Sequence, residues 1–260
     1  MNVTYIFHSG FLIETDECYY IFDYWKGALP ALNTAKPIFV FASHSHADHY
    51  DPEIFSQLSS LGMRQIIAVL ARDILRKRCP SILRPVTAEA LNAGQELMQM
   101  WGTSFSTENM PTEIIPVVKA CHSQEYDLPF RTHVQTLLST DSGVAYLVTC
   151  PEGTIYHAGD LNEWNFPETP EQKRRQMTGS YRAAVNKLKG KAIDIAFLPL
   201  DPHLKECYAD GFLYFLKNMN VGQVFPMHCW EQPEIVERFL REYPQYQGIV
   251  KSPFDADGKG

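Results

Sequence analysis

The sequence predicts an α+β fold, a four-layer αββα sandwich in which two packed sheets carry helices on their outer faces. Two observations predict it. Strand-like runs fall into two meander-like groups, and helix-favouring stretches are interleaved with both. No repeat, linker or shift in composition interrupts residues 1–260, so both groups are assigned to a single domain. With 260 residues, 45% of them hydrophobic, the chain can bury one large core.

In the first group, residues 3–7 and 11–14 read as strands. Residues 18–25 (CYYIFDYW) read as a third, rich in aromatic and β-branched side chains, with the Thr15-Asp16-Glu17 turn before it. Residues 37–42 (PIFVFA) form a short continuous apolar run, as expected of a strand buried on both faces. Residues 52–61 read as helix, with Asp51 as N-cap and Pro52 at the first helical position. Residues 65–70 read as strand, 72–78 as helix and 114–120 as strand.

In the second group, 133–138 read as strand, and 144–149 and 154–157 flank CPEG as a hairpin with glycine at the turn. Residues 171–188 are polar and helix-favouring. Strands at 193–200, 224–227 and 248–251 alternate with helices at 208–218 and 234–242.

Composition narrows the function. The formal net charge is −7, which weighs against broad binding to nucleic acid, because phosphates reward a basic face. Six scattered cysteines contain no CxxC pair and read as reduced thiols; Cys121 and Cys229 flank candidate ligands but have no evident base partner. The stretch MNVTYIFHSGFLIETDE has neither a basic n-region nor a small-residue cleavage site, and no apolar run approaches the roughly 20 residues that span a bilayer. The expected location is therefore cytoplasmic.

The chemistry concentrates in SHSHADHY, residues 43–50, which hold three of the nine histidines. The stretch follows PIFVFA directly, so it lies on the loop leaving a buried strand. His44 and His46, two apart on an extended loop, point to one side and can pinch an ion. Asp48 and His49 fall beyond the bend and can face a second. Imidazoles with carboxylates suit zinc or manganese, with iron a third choice, and ions about 3.5–4 Å apart can share a water-derived nucleophile. Further ligands must come from elsewhere. Asp160 in IYHAGDLNEW and His228 in VFPMHCW both lie just past a strand.

SHSHADH, YHAGD and FPMH together resemble the metallo-β-lactamase-fold hydrolases. HSGFL (8–12), FDYWKG (22–27), STDSGVAYL (139–147), IYHAGDLNEW (155–164), PLDPH (199–203) and FPMHCW (225–230) resemble, more narrowly, a bacterial branch near the ascorbate-phosphate lactonase-like proteins. The resemblance implies His44 and His46 on one ion, Asp48 and His49 on the other, Asp160 bridging them and His228 completing the second site. In the wider fold the third ligand of the first ion is a histidine on the strand before the hairpin. This chain has none there; Asp141 is the preferred candidate and His122 the alternative. An aspartate would make the site oxygen-richer and manganese more plausible.

Other residues carry supporting roles. Asp23, ending a strand, is expected to orient a ligand histidine through its other ring nitrogen. His8 is read either as a satisfied sheet histidine or as a supporting partner of a ligand. His157 is expected to pack rather than ligate, and His133 to be an ordinary strand histidine. Asp201 and His203 follow an apolar strand as candidate substrate contact and proton donor, with a turn role for Asp201-Pro202 an equal alternative. His203 stands where the branch often shows arginine, which argues against an anion-binding role. Trp164 is the candidate substrate-binding aromatic. Phe166, Lys173, Arg174, Arg175 and Tyr181 could join it in a flap, although a solvated helix is the simpler reading.

The expected function is a metal-dependent hydrolase of a small ester, lactone or phosphate ester, with a nucleophile held between two divalent ions. Asp48 or Asp160 would orient it or relay its proton, and His203 would protonate the leaving group. The rivals are a nuclease or phosphodiesterase and a non-catalytic metal sensor. The expected partner is a small molecule, with no nucleic acid and no membrane; a homo-oligomer stays open.

Overall fold

The structure is a computed structural model describing residues 1–93 and 114–254. Strands β1 (Asn2–Phe7), β2 (Gly10–Glu14), β3 (Tyr19–Phe22), β4 (Ile38–Ala42), β5 (Ile66–Ala71), β6 (Leu83–Val86) and β7 (Ile115–Ala120) form one sheet in the order β1-β2-β3-β4-β5-β7-β6. Strands β8 (Glu125–Leu128), β9 (Thr132–Leu138), β10 (Val144–Cys150), β11 (Gly153–His157), β12 (Ala192–Pro199) and β13 (Asn220–Met227) form the other, in the order β13-β12-β11-β10-β9-β8.

Each sheet combines antiparallel hairpins with parallel pairs. The β1-β2-β3 meander is antiparallel, and β3-β4-β5-β7 run parallel. In the second sheet β8-β9-β10-β11 alternate, and β11-β12-β13 run parallel. Helices α1 (Glu53–Ser60), α2 (Arg72–Lys77), α3 (Ala88–Asn92), α4 (Glu171–Val185), α5 (Asp210–Asn218) and α6 (Glu234–Glu242) complete the described elements. Helix α2 packs on β5 and β7, and α5 packs on β12.

The sheets meet through aromatic side chains. Phe11 of β2 lies 4.3 Å from Phe197 of β12, and Phe41 of β4 lies 5.2 Å from Tyr146 of β10, ring centre to ring centre. All five residues of β4 are buried, as the PIFVFA run requires. Tyr146 adds a polar staple: its hydroxyl donates to the carbonyl of Ala42 at 2.9 Å, at the end of β4. Burial pushes that phenol far above its ordinary pKa, so it stays a donor.

The element reading differs from the structure at the margins. β3 ends at Phe22, because Asp23 takes a left-handed backbone with φ 42°. Helix α1 begins one residue late, yet the Asp51 carboxylate still accepts from the Glu53 N–H at 2.9 Å. β6 and β8 escape the sequence reading since both are sheet edges with largely exposed faces, and β6 contains Pro85. The strand expected at 248–251 reduces to one bridge, Val224 to Val250.

Candidate metal centre

The site forms where several strands end, and the backbone bends sharply there. His8 follows β1, Asp23 follows β3 and His228 follows β13, with φ values of 55°, 42° and 61°. A non-glycine residue in this region costs on the order of 1–3 kcal/mol and persists only where its surroundings hold it. The loop after β4 delivers His44, His46, Asp48 and His49. The turn after β11 delivers Asp160, and the turn after β12 delivers Asp201.

Asp23 organises the histidine loop from beneath. It is fully buried. Its Oδ1 accepts from the Ser43 N–H at 2.7 Å, and its Oδ2 accepts from the Ser43 hydroxyl at 2.6 Å and from His49 Nδ1 at 2.7 Å. With its own proton given to Asp23, the Ser43 hydroxyl accepts from His44 Nδ1 at 2.9 Å. One carboxylate thus fixes the tautomers of two histidines and turns both Nε2 lone pairs toward the site.

Glycine lets a second loop close on the same spot. Gly143 has φ +67°, and a Cβ there would lie 1.9 Å from the Ser43 carbonyl oxygen and 2.6 Å from His44 Cβ. The next residue, Val144, donates its N–H to that carbonyl at 3.0 Å. Gly143→Ala combines a backbone collision with a disfavoured φ, and is expected to cost at least about 1–3 kcal/mol. A denaturant melt of the metal-free variant measures it; an unchanged midpoint would contradict the close approach.

Two groups of ligand atoms result, each with its members within 4.8 Å of one another. One is His44, His46 and Asp160; the other is His8, Asp48, His49 and His228. Asp160 faces both: Oδ2 lies 3.2 Å from His44 Nε2, and Oδ1 lies 3.1 Å from His49 Nε2 and 3.6 Å from His228 Nε2. Asp141 Oδ2 stands 3.9 Å from His46 Nδ1, and both side chains are about half exposed, at 51%.

His228 is held as His49 is. Its Nδ1 donates to Asp201 Oδ2 at 2.8 Å, and Trp230 Nε1 donates to the same oxygen at 3.1 Å. Asp201 Oδ1 accepts the His203 backbone N–H and Nδ1, at 2.7 and 2.8 Å. Trp164 donates its indole N–H to the Asp160 carbonyl at 2.8 Å, and its ring centre stands 5.5 Å from that of His228.

These contacts test whether the residues fit divalent ions. His49 and His228 direct their Nδ1 protons outward to Asp23 and Asp201, so their Nε2 lone pairs converge on the carboxylates of Asp48 and Asp160, while His44 Nε2 lies 3.2 Å from Asp160 Oδ2 and 3.0 Å from its hydrogen-bond partner His46 Nδ1. Acceptors face acceptors. His8 Nε2, His49 Nε2 and Asp160 Oδ1 are buried without a hydrogen-bond partner. Such a cluster calls for positive charge at its centre, and the mixed nitrogen and oxygen donors suit zinc, manganese or iron.

The titration of the protein groups carries the same sign. Burial alone would raise Asp160, but His49, His44 and His228 hold it well below the usual carboxylate range. Asp48 behaves likewise: burial raises it, and His8, His49 and His228 together bring it down. Burial would lower His49, and Asp160 and Asp23 raise it well above an ordinary imidazole.

Residues 2–175 match the family model of the beta-lactamase superfamily domain. The chain belongs to this superfamily. No curated protein matches the sequence. Among solved structures, a metallo hydrolase from the archaeon Ignicoccus hospitalis aligns at 15% identity, covering 96% of this chain and 94% of its own, with TM-score 0.55. The metallo-beta-lactamase fold protein YhfI from Bacillus subtilis aligns at 10%, covering 96% and 95%, with TM-score 0.51. A mutant of the CmlA beta-hydroxylase aligns at 12%, covering 96% of this chain but 52% of its own, with TM-score 0.52. These likenesses show the metallo-β-lactamase fold, and the fold by itself leaves the reaction open.

Within this superfamily member, some sequence expectations need revising. Of the two readings of Asp201 the turn one holds: it is buried, it accepts the His203 N–H at the turn after β12, and its oxygens also accept from His228, Trp230 and His203 Nδ1. His8 is no satisfied sheet histidine, because its Nε2 is unpartnered. Neither His122 nor Asp141 is in either group; His122 is an exposed turn residue, and Asp141 Oδ2 lies 3.9 Å from His46 Nδ1. His203 lies at the rim with its side chain 58% exposed. His157 packs: it donates Nε2–H to the Ser9 carbonyl at 2.9 Å and stacks on Phe22. His133 is an outlying residue on β9, paired with Asp127. The basic flap is not assembled: Tyr181 is buried and donates to the Gly211 carbonyl, and Arg175 pairs with Glu171. Cys229 is buried and its thiol is pushed far up by desolvation, which removes it as a nucleophile. The sequence reading missed Ser43, whose signal was its place between the buried strand and the first histidine.

Proposed function

We propose that the chain is a metal-dependent hydrolase with two divalent ions, acting on a small ester, lactone or phosphate ester. One observation carries this reading. Asp160 presents one oxygen to His44 and the other to His49 and His228, as a carboxylate shared between adjacent ions must.

His44, His46 and Asp160 would hold one ion, with Asp141 within reach; Asp48, His49, His228 and Asp160 would hold the other. Zinc and manganese fit the donors best, with iron a third choice. The ions would supply an acidified water as nucleophile and Lewis-acid stabilisation of the developing oxyanion. The protein does the rest. Asp23 and Asp201 lock the histidines, so that little reorganisation is left at the moment of reaction. Asp48, 23% exposed and facing the site, orients the attacking water and takes its proton. Trp164 shields the His228 side and packs against substrate. His203, hydrogen-bonded to Asp201 at the rim, returns a proton to the leaving group.

The resemblance to lactonase-like proteins favours a lactone or phosphate ester among these substrates. The net charge of −7 disfavours nucleic acid. No helix among the described residues is long and apolar enough to cross a membrane, and a cytoplasmic location belongs to the same proposal.

Elemental analysis with a panel of p-nitrophenyl phosphates, carboxyl esters and lactones tests the proposal. The expected result is two metals per chain, turnover of one substrate class, and loss of that turnover in His46→Ala. Bound metal with no turnover across the panel would replace the enzyme by a sensor.

A further inference from the structure

We propose that His8 is itself a ligand of one ion, and that it makes that site the tighter, first-filled member of an unequal pair. This rests on the metal-centre reading above. His8 lies outside the H-x-H-x-D-H cluster, at the first strand end of the chain.

The His8 side chain is 1% exposed, and its Nε2 has no hydrogen-bond partner. That nitrogen stands 3.6 Å from Asp48 Oδ2 and shares a 4.8 Å group with Asp48, His49 and His228. Asp48 Oδ2 lies 3.8 Å from His49 Nε2 and 3.7 Å from His228 Nε2. Three imidazoles therefore surround one carboxylate at nearly equal range, too long for hydrogen bonds and ordered as ligands are around a common centre.

The backbone sets this position. His8 has left-handed φ, and its carbonyl accepts the His228 N–H at 3.4 Å. That bond joins the end of β1, an edge of one sheet, to the end of β13, an edge of the other. The two rings sit 4.4 Å apart, centre to centre. Trp25 and Trp230 wall the His8 ring at 5.7 and 4.6 Å, which keeps it from swinging out to solvent. An unpaired buried imidazole nitrogen is costly, and a cation in this cluster removes that cost.

The two groups then differ in kind. The His8 group offers four side chains, with Asp160 Oδ1 beside it. The His44 group offers three, His44, His46 and Asp160; its outer member His46 is half exposed, as is Asp141 beside it. A site filled by protein ligands holds its metal closed, and one with fewer keeps positions open for water and substrate. The exchangeable ion belongs at the His44 end.

The test strips the full-length protein with chelator and titrates it with cobalt(II) and zinc(II), following calorimetry and the visible cobalt spectrum. His8→Gly is the informative variant, because glycine accepts the positive φ without strain, and a denaturant melt of the metal-free variant verifies that it folds. Wild type should show two unequal steps. His8→Gly should weaken the tighter step by more than the roughly 10–100-fold caused by losing an outer partner, change its cobalt spectrum, and regain affinity with millimolar imidazole. His46→Ala should weaken only the other step. A His8→Gly titration that overlays wild type overturns the proposal, as does equal weakening of both steps. A wild type that takes up no ion would instead remove the metal reading, and this proposal with it.

Discussion

Replacing Asp160 with alanine is expected to bring the metal content from two ions per chain to one or fewer and to lower kcat by roughly 10³-fold. The size follows from the several kcal/mol of charge stabilisation that bound ions provide, at about 1.4 kcal/mol per tenfold in rate. Among the described residues, only Asp160 is shown facing both histidine groups, so no described neighbour replaces it. Asp160→Asn keeps the shape but loses the charge and one acceptor oxygen, and should fall between alanine and wild type. Elemental analysis and turnover on the best panel substrate measure both effects. An alanine variant with two tightly bound ions and wild-type kcat would contradict the shared-carboxylate geometry.

Replacing Asp23 is expected to have the largest effect on stability. Asp23 is fully buried and accepts from the Ser43 N–H, the Ser43 hydroxyl and His49 Nδ1. Removing one partner of a buried charged pair costs about 3–5 kcal/mol, and Asp23→Ala should lose that much in the metal-free protein. The same change frees the rings of His44 and His49, so metal affinity should fall about 10–100-fold, as when an outer partner of a ligand is lost. Asp23→Asn separates the causes. Asparagine tolerates the left-handed backbone at φ 42°, but its amide donors face the protons of Ser43 and His49. Urea denaturation and competition with a metal chelator read the two effects. An asparagine variant with unchanged stability and affinity would show that Asp23 fills space only.

The two variants divide the centre into what touches an ion and what aims the ligands. In the proposed centre Asp160 would act at the ions, and Asp23 would act through Ser43, His44 and His49. Asp201 is placed as Asp23 is, accepting from His228 Nδ1 and from His203.

Legibility in the sequence followed how local each feature is. The buried strand β4 was readable from PIFVFA, since a run buried on both faces must be apolar throughout. The pattern in SHSHADH marked ligands because spacing along one loop limits where side chains point. Edge strands β6 and β8 were not readable: half of an edge strand faces water, and its residues carry no apolar alternation. The strand expected at 248–251 shows the reverse error, an apolar tail whose partner offers one bridge only.

By itself, the sequence determined a two-sheet α+β architecture, the histidine loop, and strand-end aspartate and histidine residues able to bind metal. Those properties depend on neighbouring residues and on the pitch of one strand. Only the tertiary structure decided that His8 meets His228, that Asp201 serves His228 and is withdrawn from substrate, and that Asp141 rather than His122 stands beside His46. The first depends on where the edges β1 and β13 meet, the second on the pairing of β12 with β13, and the third on loops of the two sheets converging at one end. Such contacts join residues from distant parts of the chain, and no local spacing records them.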